Sequence, residues 1–65
     1  MTWNEICQTF PDEWVAVVNY TTDSAGDVDG EVAVHSRDKS EFYRHAEAVV
    51  SQYGGMAMRY TGELI

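Results

Sequence analysis

The chain has 65 residues, and its eleven Asp and Glu against four Lys and Arg give a formal net charge of −7. This length holds a single domain, residues 1–65, with one small hydrophobic core. Binding to nucleic-acid phosphates or to an anionic membrane surface requires clustered basic side chains, so the composition argues against both kinds of partner.

The first predicted element is a short helix over residues 3–9. Thr2 and Glu5 have the spacing of a capping box, in which the two residues exchange hydrogen bonds between side chain and backbone. Ile6 lies on the apolar side of this helix. Pro11 cannot continue the helix, because it has no backbone N–H to donate.

Residues 14–20 form the clearest strand, since they are rich in β-branched and aromatic side chains. One face of this strand carries Trp14, Ala16, Val18 and Tyr20, and the other carries Val15 and Val17. A strand that is apolar on both faces is usually covered on both, so we expect it at the centre of the sheet.

A polar segment, residues 21–30, has the Gly, Asp and Ser content of a loop. A second strand is predicted over residues 31–35, where polar and apolar residues alternate and where Val32 and Val34 face the core together. We expect this strand to pair antiparallel with residues 14–20.

The longest predicted element is a helix over residues 39–53. Asp38 and Glu41 again have the capping spacing, and Gly54 supplies a left-handed stop. The apolar stripe of this helix is Phe42, Ala46, Val49 and Tyr53, flanked by Tyr43 and Val50.

A third strand is predicted over residues 56–61, with Met56, Met58 and Tyr60 on one face. The element order α-β-β-α-β predicts an α+β fold with a three-stranded antiparallel sheet in the order 2-1-3, packed on the long helix. The order 1-2-3, with one parallel pair, stays open as the alternative.

Two helices of unequal length are expected to leave apolar sheet surface exposed, and such a patch often marks an association site. We predict a contact face at Trp14, Val18 and Tyr20. The acidic side chains of the neighbouring loop would supply specificity; they are Asp23, Asp27, Asp29 and Glu31. The alternative is that the short helix and the tail residues Leu64 and Ile65 cover this surface.

No catalytic, cofactor or metal site is predicted, so we do not expect an enzyme. Cys7 lies on the apolar side of the first helix, where a cysteine is commonly a small hydrophobe. His45 follows Glu41 by four residues, which is an ordinary surface pair. The acidic loop departs at both ends from the calcium-loop pattern, so a solvated turn is expected there rather than a calcium site.

The segment Pro11 to Val17 reads P-x-x-W-V-A-V, and it is followed by residues 30–32, residues 35–36, an aromatic-bearing helix and residues 60–62. This pattern resembles a family of short prokaryotic domains of unknown function over residues 10–62. The resemblance implies a β-β-α-β order and carries no activity.

The resulting hypothesis is a non-enzymatic protein-protein interaction module, working as a homodimer or as a small subunit of a complex. The first alternative is an acidic inhibitor of a nucleic-acid-binding protein, such as an anti-CRISPR, a DNA mimic or an antitoxin. The second alternative is a small metal-binding protein or enzyme. A single cysteine and the lack of a signal-peptide pattern predict a reducing, cytoplasmic location.

Overall fold

A computed structural model describes residues 1–62 of the chain. Its helices and strands are α1 Trp3–Thr9, β1 Trp14–Thr22, β2 Val28–Ser36, α2 Lys39–Tyr53 and β3 Ala57–Tyr60. The sheet is antiparallel throughout and has the order β2-β1-β3. The predicted α+β fold and strand order are therefore confirmed, and the alternative with a parallel pair is wrong.

Both helices are capped at their N-termini by the side chains that the capping-box spacings predict, and α2 is capped at its C-terminus by a glycine. The Thr2 hydroxyl accepts from the Glu5 N–H at 3.3 Å, and the Glu5 carboxylate accepts from the Thr2 N–H at 2.9 Å. Asp38 accepts from the Glu41 N–H at 3.0 Å. Gly54 ends α2 with a φ of 79°, in the left-handed region that glycine adopts without strain.

β1 is covered on both faces, because α1 and α2 lie on opposite sides of the sheet. The cluster on the α1 side is Ile6, Val15, Val17, Val28 and Ala57. The buried residues of the α2 cluster are Ala16, Phe42 and Ala46. The short helix thus covers the sheet surface that we expected to stay open. Leu64 and Ile65, the other expected cover, lie outside the described residues.

The β1–β2 hairpin is longer than predicted, and its loop is correspondingly shorter. The loop is only residues 23–27, because β1 continues to Thr22 and β2 begins at Val28. The Gly26 N–H donates to the Asp23 carbonyl at 3.0 Å, which closes a tight turn. Val28, predicted as loop, is buried in the core.

A bulge in β1 allows β1 and β2 to stay paired along residues that the sequence predicted to form a loop. Val18 pairs with Glu31 and Thr21 pairs with Asp29, so two β1 residues face the single residue Gly30. The first of the two, Asn19, has a φ of 50°, and asparagine tolerates this left-handed conformation.

A second bulge, in β2, interrupts the regular alternation of side chains that was predicted for that strand. Ala16 pairs with Val34 and Val17 pairs with Val32, which leaves Ala33 as the extra residue. Since a shift of one residue turns the following side chains to the other face, Val34 packs on the α2 side and Val32 on the α1 side. The prediction that both face the same side is wrong.

Gly30 is expected to be indispensable to the β1 bulge. A Cβ at this position would lie 2.8 Å from the Val18 carbonyl oxygen and 2.9 Å from the Tyr20 Cα. Gly30→Ala should lower the free energy of unfolding by about 1–3 kcal/mol, because backbone must move to admit the methyl group. Urea unfolding measures this change.

The matched control for that experiment is Gly55→Ala, since no other described atom lies within 4 Å of a Cβ built there. We expect a change within about 0.5 kcal/mol for this variant. Equal effects of the two substitutions would contradict the close approach at Gly30.

The cap of α1 is expected to depend on pH. The Thr2 backbone N–H donates to the Glu5 carboxylate and lowers the pKa of Glu5 below its ordinary value of 4.5. Because the pKa of Glu5 is lower in the folded than in the unfolded protein, the ionised carboxylate stabilises the fold at any pH above the unfolded pKa. This stabilisation is lost as the pH falls through the folded pKa. Glu5→Gln should therefore flatten the acid limb of the stability profile, measured by urea unfolding between neutral pH and pH 3. Parallel profiles for the two proteins would refute this role.

Candidate functional site

An apolar groove runs between α2 and β3. It forms because α2 lies over β2 and β1 rather than over β3, so the outer strand is left without a helix directly above it. The groove encloses about 420 Å³, and its lining residues are Tyr43, Ala46, Glu47, Val50, Met56 and Met58. All but Glu47 present apolar or aromatic groups.

The large side chains of this groove are accessible at the surface of the domain. Tyr43 is 43% exposed, Val50 is 44% exposed and Met58 is 42% exposed. Tyr53, at the end of the same helix, is also exposed. Contiguous apolar groups at the surface of a small domain mark an interaction site more often than isolated ones do.

The groove ends beside a packed aromatic group at the start of α2. The Trp14 ring lies 4.9 Å from the Tyr60 ring and 6.4 Å from the Phe42 ring, measured between centroids. The Lys39 ammonium lies 5.1 Å from the centroid of Trp14 and 5.8 Å from that of Tyr43, within the range of a cation–π contact. Lys39 therefore lies between the ring of Trp14 and the ring of Tyr43, which lines the groove.

The predicted contact face at Trp14, Val18 and Tyr20 is not a continuous surface. Val18 is 1% exposed, so a partner cannot reach it on the folded chain. Trp14 is half-buried under its aromatic neighbours, whereas Tyr20 is 41% exposed. The expectation for Val18 is therefore corrected, because this side chain belongs to the interior.

The acidic loop has two kinds of carboxylate. Asp23 is engaged by its own turn, where it accepts hydrogen bonds from the N–H groups of Ala25 at 2.9 Å and Asp27 at 3.0 Å. Asp27, Asp29 and Glu31 are exposed, and Asp29 Oδ1 lies 3.7 Å from the N-terminal ammonium of Met1. Within residues 1–62, no three His, Cys, Asp or Glu side chains are grouped so that they could hold a metal ion. The loop's role in specificity stays a prediction.

His35 and Glu13 join the turn after α1 to the sheet. His35 Nδ1 lies 2.9 Å from Glu13 Oε1, and the imidazole packs against the Phe10 ring at 4.3 Å between centroids. The Glu13 N–H donates to Thr61 Oγ1 at 2.9 Å, and the Thr61 N–H donates to the Glu13 carbonyl at 2.9 Å. This arrangement fastens the end of β3 to the chain entering β1. His45 Nε2 lies 3.9 Å from Glu41 Oε1, and these two α2 residues line a shallow surface depression together with His35 and its neighbours in β2.

The groove is the functional feature that the sequence reasoning missed. The sequence did contain an indication of the groove, since the apolar residues Tyr43 and Val50 flank the predicted apolar stripe of α2 instead of lying on it. Met58 was placed on one face of the third strand with Met56 and Tyr60, from the alternation of residues 56–61. The position of α2 across the sheet, which no local pattern specifies, leaves Met58 at the surface.

These features define the class of the protein: an α+β domain whose antiparallel sheet is covered by a helix on each face. Comparison of the chain with protein-family models, with curated proteins and with solved structures finds no match. The resemblance to short prokaryotic domains stays a prediction. Among the described residues, no helix has both the length and the apolar character needed to cross a bilayer.

The Cys7 thiol is expected to react slowly. Burial, and then the nearby charge of Asp27, raise the pKa of Cys7 above its ordinary value, so the thiolate is scarce at neutral pH. Alkylation by iodoacetamide at pH 7.5 should be slower than for the urea-unfolded chain. Asp27→Asn should increase the rate in the folded protein, whereas Glu31→Gln should leave it unchanged. A folded-state rate equal to the unfolded one would contradict the shift.

Proposed function

We propose that this protein is a non-enzymatic protein-interaction module that binds a basic partner through the groove between α2 and β3. The observation that carries the proposal is the exposure of Tyr43, Val50 and Met58 around one groove. Covering apolar surface contributes about 25 cal/mol per Å² removed from water. A chain of this size gains from such cover, because it buries only about 60% of the surface that its unfolded form exposes.

Electrostatics favour a basic partner over a second copy of the chain. The net charge of −7 attracts a positively charged protein and repels another molecule of the same kind. Glu47, the charged residue of the groove lining, offers a carboxylate to a Lys or Arg of the partner. Homodimerisation, the other version of the hypothesis, would have to overcome this repulsion. A cytoplasmic location, predicted from the single cysteine, is part of the proposal.

The proposal predicts that one substitution in the groove weakens partner capture without unfolding the protein. Val50→Ser removes an exposed apolar side chain, so the free energy of unfolding should change by less than about 1 kcal/mol. Binding should weaken about tenfold, as expected for a residue at the centre of an interface. Quantitative affinity purification with the tagged full chain, followed by titration of the recovered partner, measures both effects.

Tyr20→Ser is the matched control, since Tyr20 is equally exposed but lies outside the groove lining. Capture that survives Tyr20→Ser and is lost with Val50→Ser supports the groove. The reverse result would return the contact to the face predicted from the sequence. Loss only on neutralising Asp27, Asp29 and Glu31 would favour the acidic inhibitor instead. Concentration-dependent light scattering distinguishes homodimerisation.

A further inference from the structure

We infer that the basic partner binds as an extended strand that adds to the outer edge of β3 and inserts every second side chain into the groove. This inference rests on the proposed function, and it specifies the conformation of the partner. β3 is an outer strand of the sheet in the order β2-β1-β3. Within residues 1–62, no strand pairs with its outer edge.

Hydrogen bonding at the end of β3 determines which backbone groups point outward. Thr61 donates its N–H to the Glu13 carbonyl, so Thr61 faces β1. Tyr60 is paired in register with Trp14, one residue further along. Because successive residues of an antiparallel strand direct their N–H and C=O groups to opposite sides, Tyr60 and Met58 direct theirs away from β1.

The contact of Arg59 agrees with this assignment. Its guanidinium Nη1 donates to the Met58 carbonyl oxygen at 2.8 Å, which requires that carbonyl to be accessible from the open edge. Charged side chains on an edge strand limit indiscriminate pairing with other chains. Arg59 therefore covers one of the acceptors that a partner strand would use, and it must move aside when the strand is added.

The same two residues of β3 border the groove and the aromatic end. Met58 is paired with Ala16, and Tyr60 with Trp14, so both side chains lie on the α2 face of the sheet. A strand added at about 4.8 Å from β3 would place alternate side chains on this face, about 6.8 Å apart. The groove lined by Val50, Met56 and Met58 is where such side chains arrive.

The partner sequence that fits this site alternates apolar and basic residues. The apolar side chains would fill the groove, and the basic ones would match the net charge of −7 and the carboxylate of Glu47. This is the strand-addition mode of peptide recognition, in which backbone hydrogen bonds supply affinity and pockets for alternate side chains supply specificity.

The test is a titration of the ¹⁵N-labelled full chain with synthetic decapeptides in which Lys alternates with Val or Phe. The control peptides have the same composition, with apolar residues three and four apart as on a helix. The alternating peptides should slow amide hydrogen exchange of Met58 and Tyr60 by at least about tenfold. The amide of Arg59, which faces β1, should change little.

Two pairs of variants separate strand addition from simple occupation of the groove. Met58→Pro removes an N–H group that points outward and makes no hydrogen bond to β1, so this variant should lose peptide binding. Met58→Leu keeps the N–H group and should bind the peptide within about threefold of the natural chain. Arg59→Ala frees the Met58 carbonyl and should tighten binding about threefold to tenfold, the worth of one hydrogen bond. Arg44→Ala makes the same charge change elsewhere on the surface and should tighten binding less.

Each alternative outcome is distinct. Peptides that shift the methyl signals of Val50 and Met58 without protecting the Met58 and Tyr60 amides would overturn strand addition and leave the groove as the contact. Absence of binding by every peptide at millimolar concentration would also overturn strand addition. The proposed function would then still be tested separately by affinity purification of the partner. Protection of these amides that appears with rising protein concentration alone would identify a second copy as the occupant.

Discussion

The burial of β1 on both faces is the constraint on which the rest of the structure depends. Val15 and Val17 face α1, and Ala16 faces α2, so this strand has to lie at the centre of the sheet with a helix on each side. β1 has four consecutive buried residues, Val15 to Val18. β2 and β3 are consequently its two neighbours, and each has an outer edge.

Two bulges let the hairpin satisfy this constraint with an irregular sequence. The bulge at Asn19 brings Gly30 against the backbone of β1, and it brings Val28 into register with the core. The bulge at Ala33 sends Val32 and Val34 to different helices. β2 therefore contributes to both faces of the sheet, although its residues alternate like those of a strand with one buried face.

The uneven placement of α2 connects the fold to the proposed function. A helix that follows β2 and leads to β3 must cross β1, and here it lies closer to β2. The strand it reaches last is left partly uncovered, and Met58 at its surface meets Val50 from the helix. Trp14 packs against Tyr60 at the end of β3, and Lys39 of α2 lies over the Trp14 ring. The apolar groove and the open edge of β3 are thus two consequences of one packing arrangement.

The sequence by itself determined both helices with their bounds and the presence of the three strands, because caps, stop signals and periodicity act over a few residues. It favoured the order 2-1-3 but left a parallel alternative open, and only the tertiary structure decided between the two. The burial of Val28 and the separation of Val32 from Val34 were beyond local patterns, since each depends on a bulge whose register is set by the opposite strand. The groove was also beyond them. Tyr43, Val50 and Met58 form one surface only because α2 and β3 lie side by side. The distance between these two elements depends on how the whole core packs.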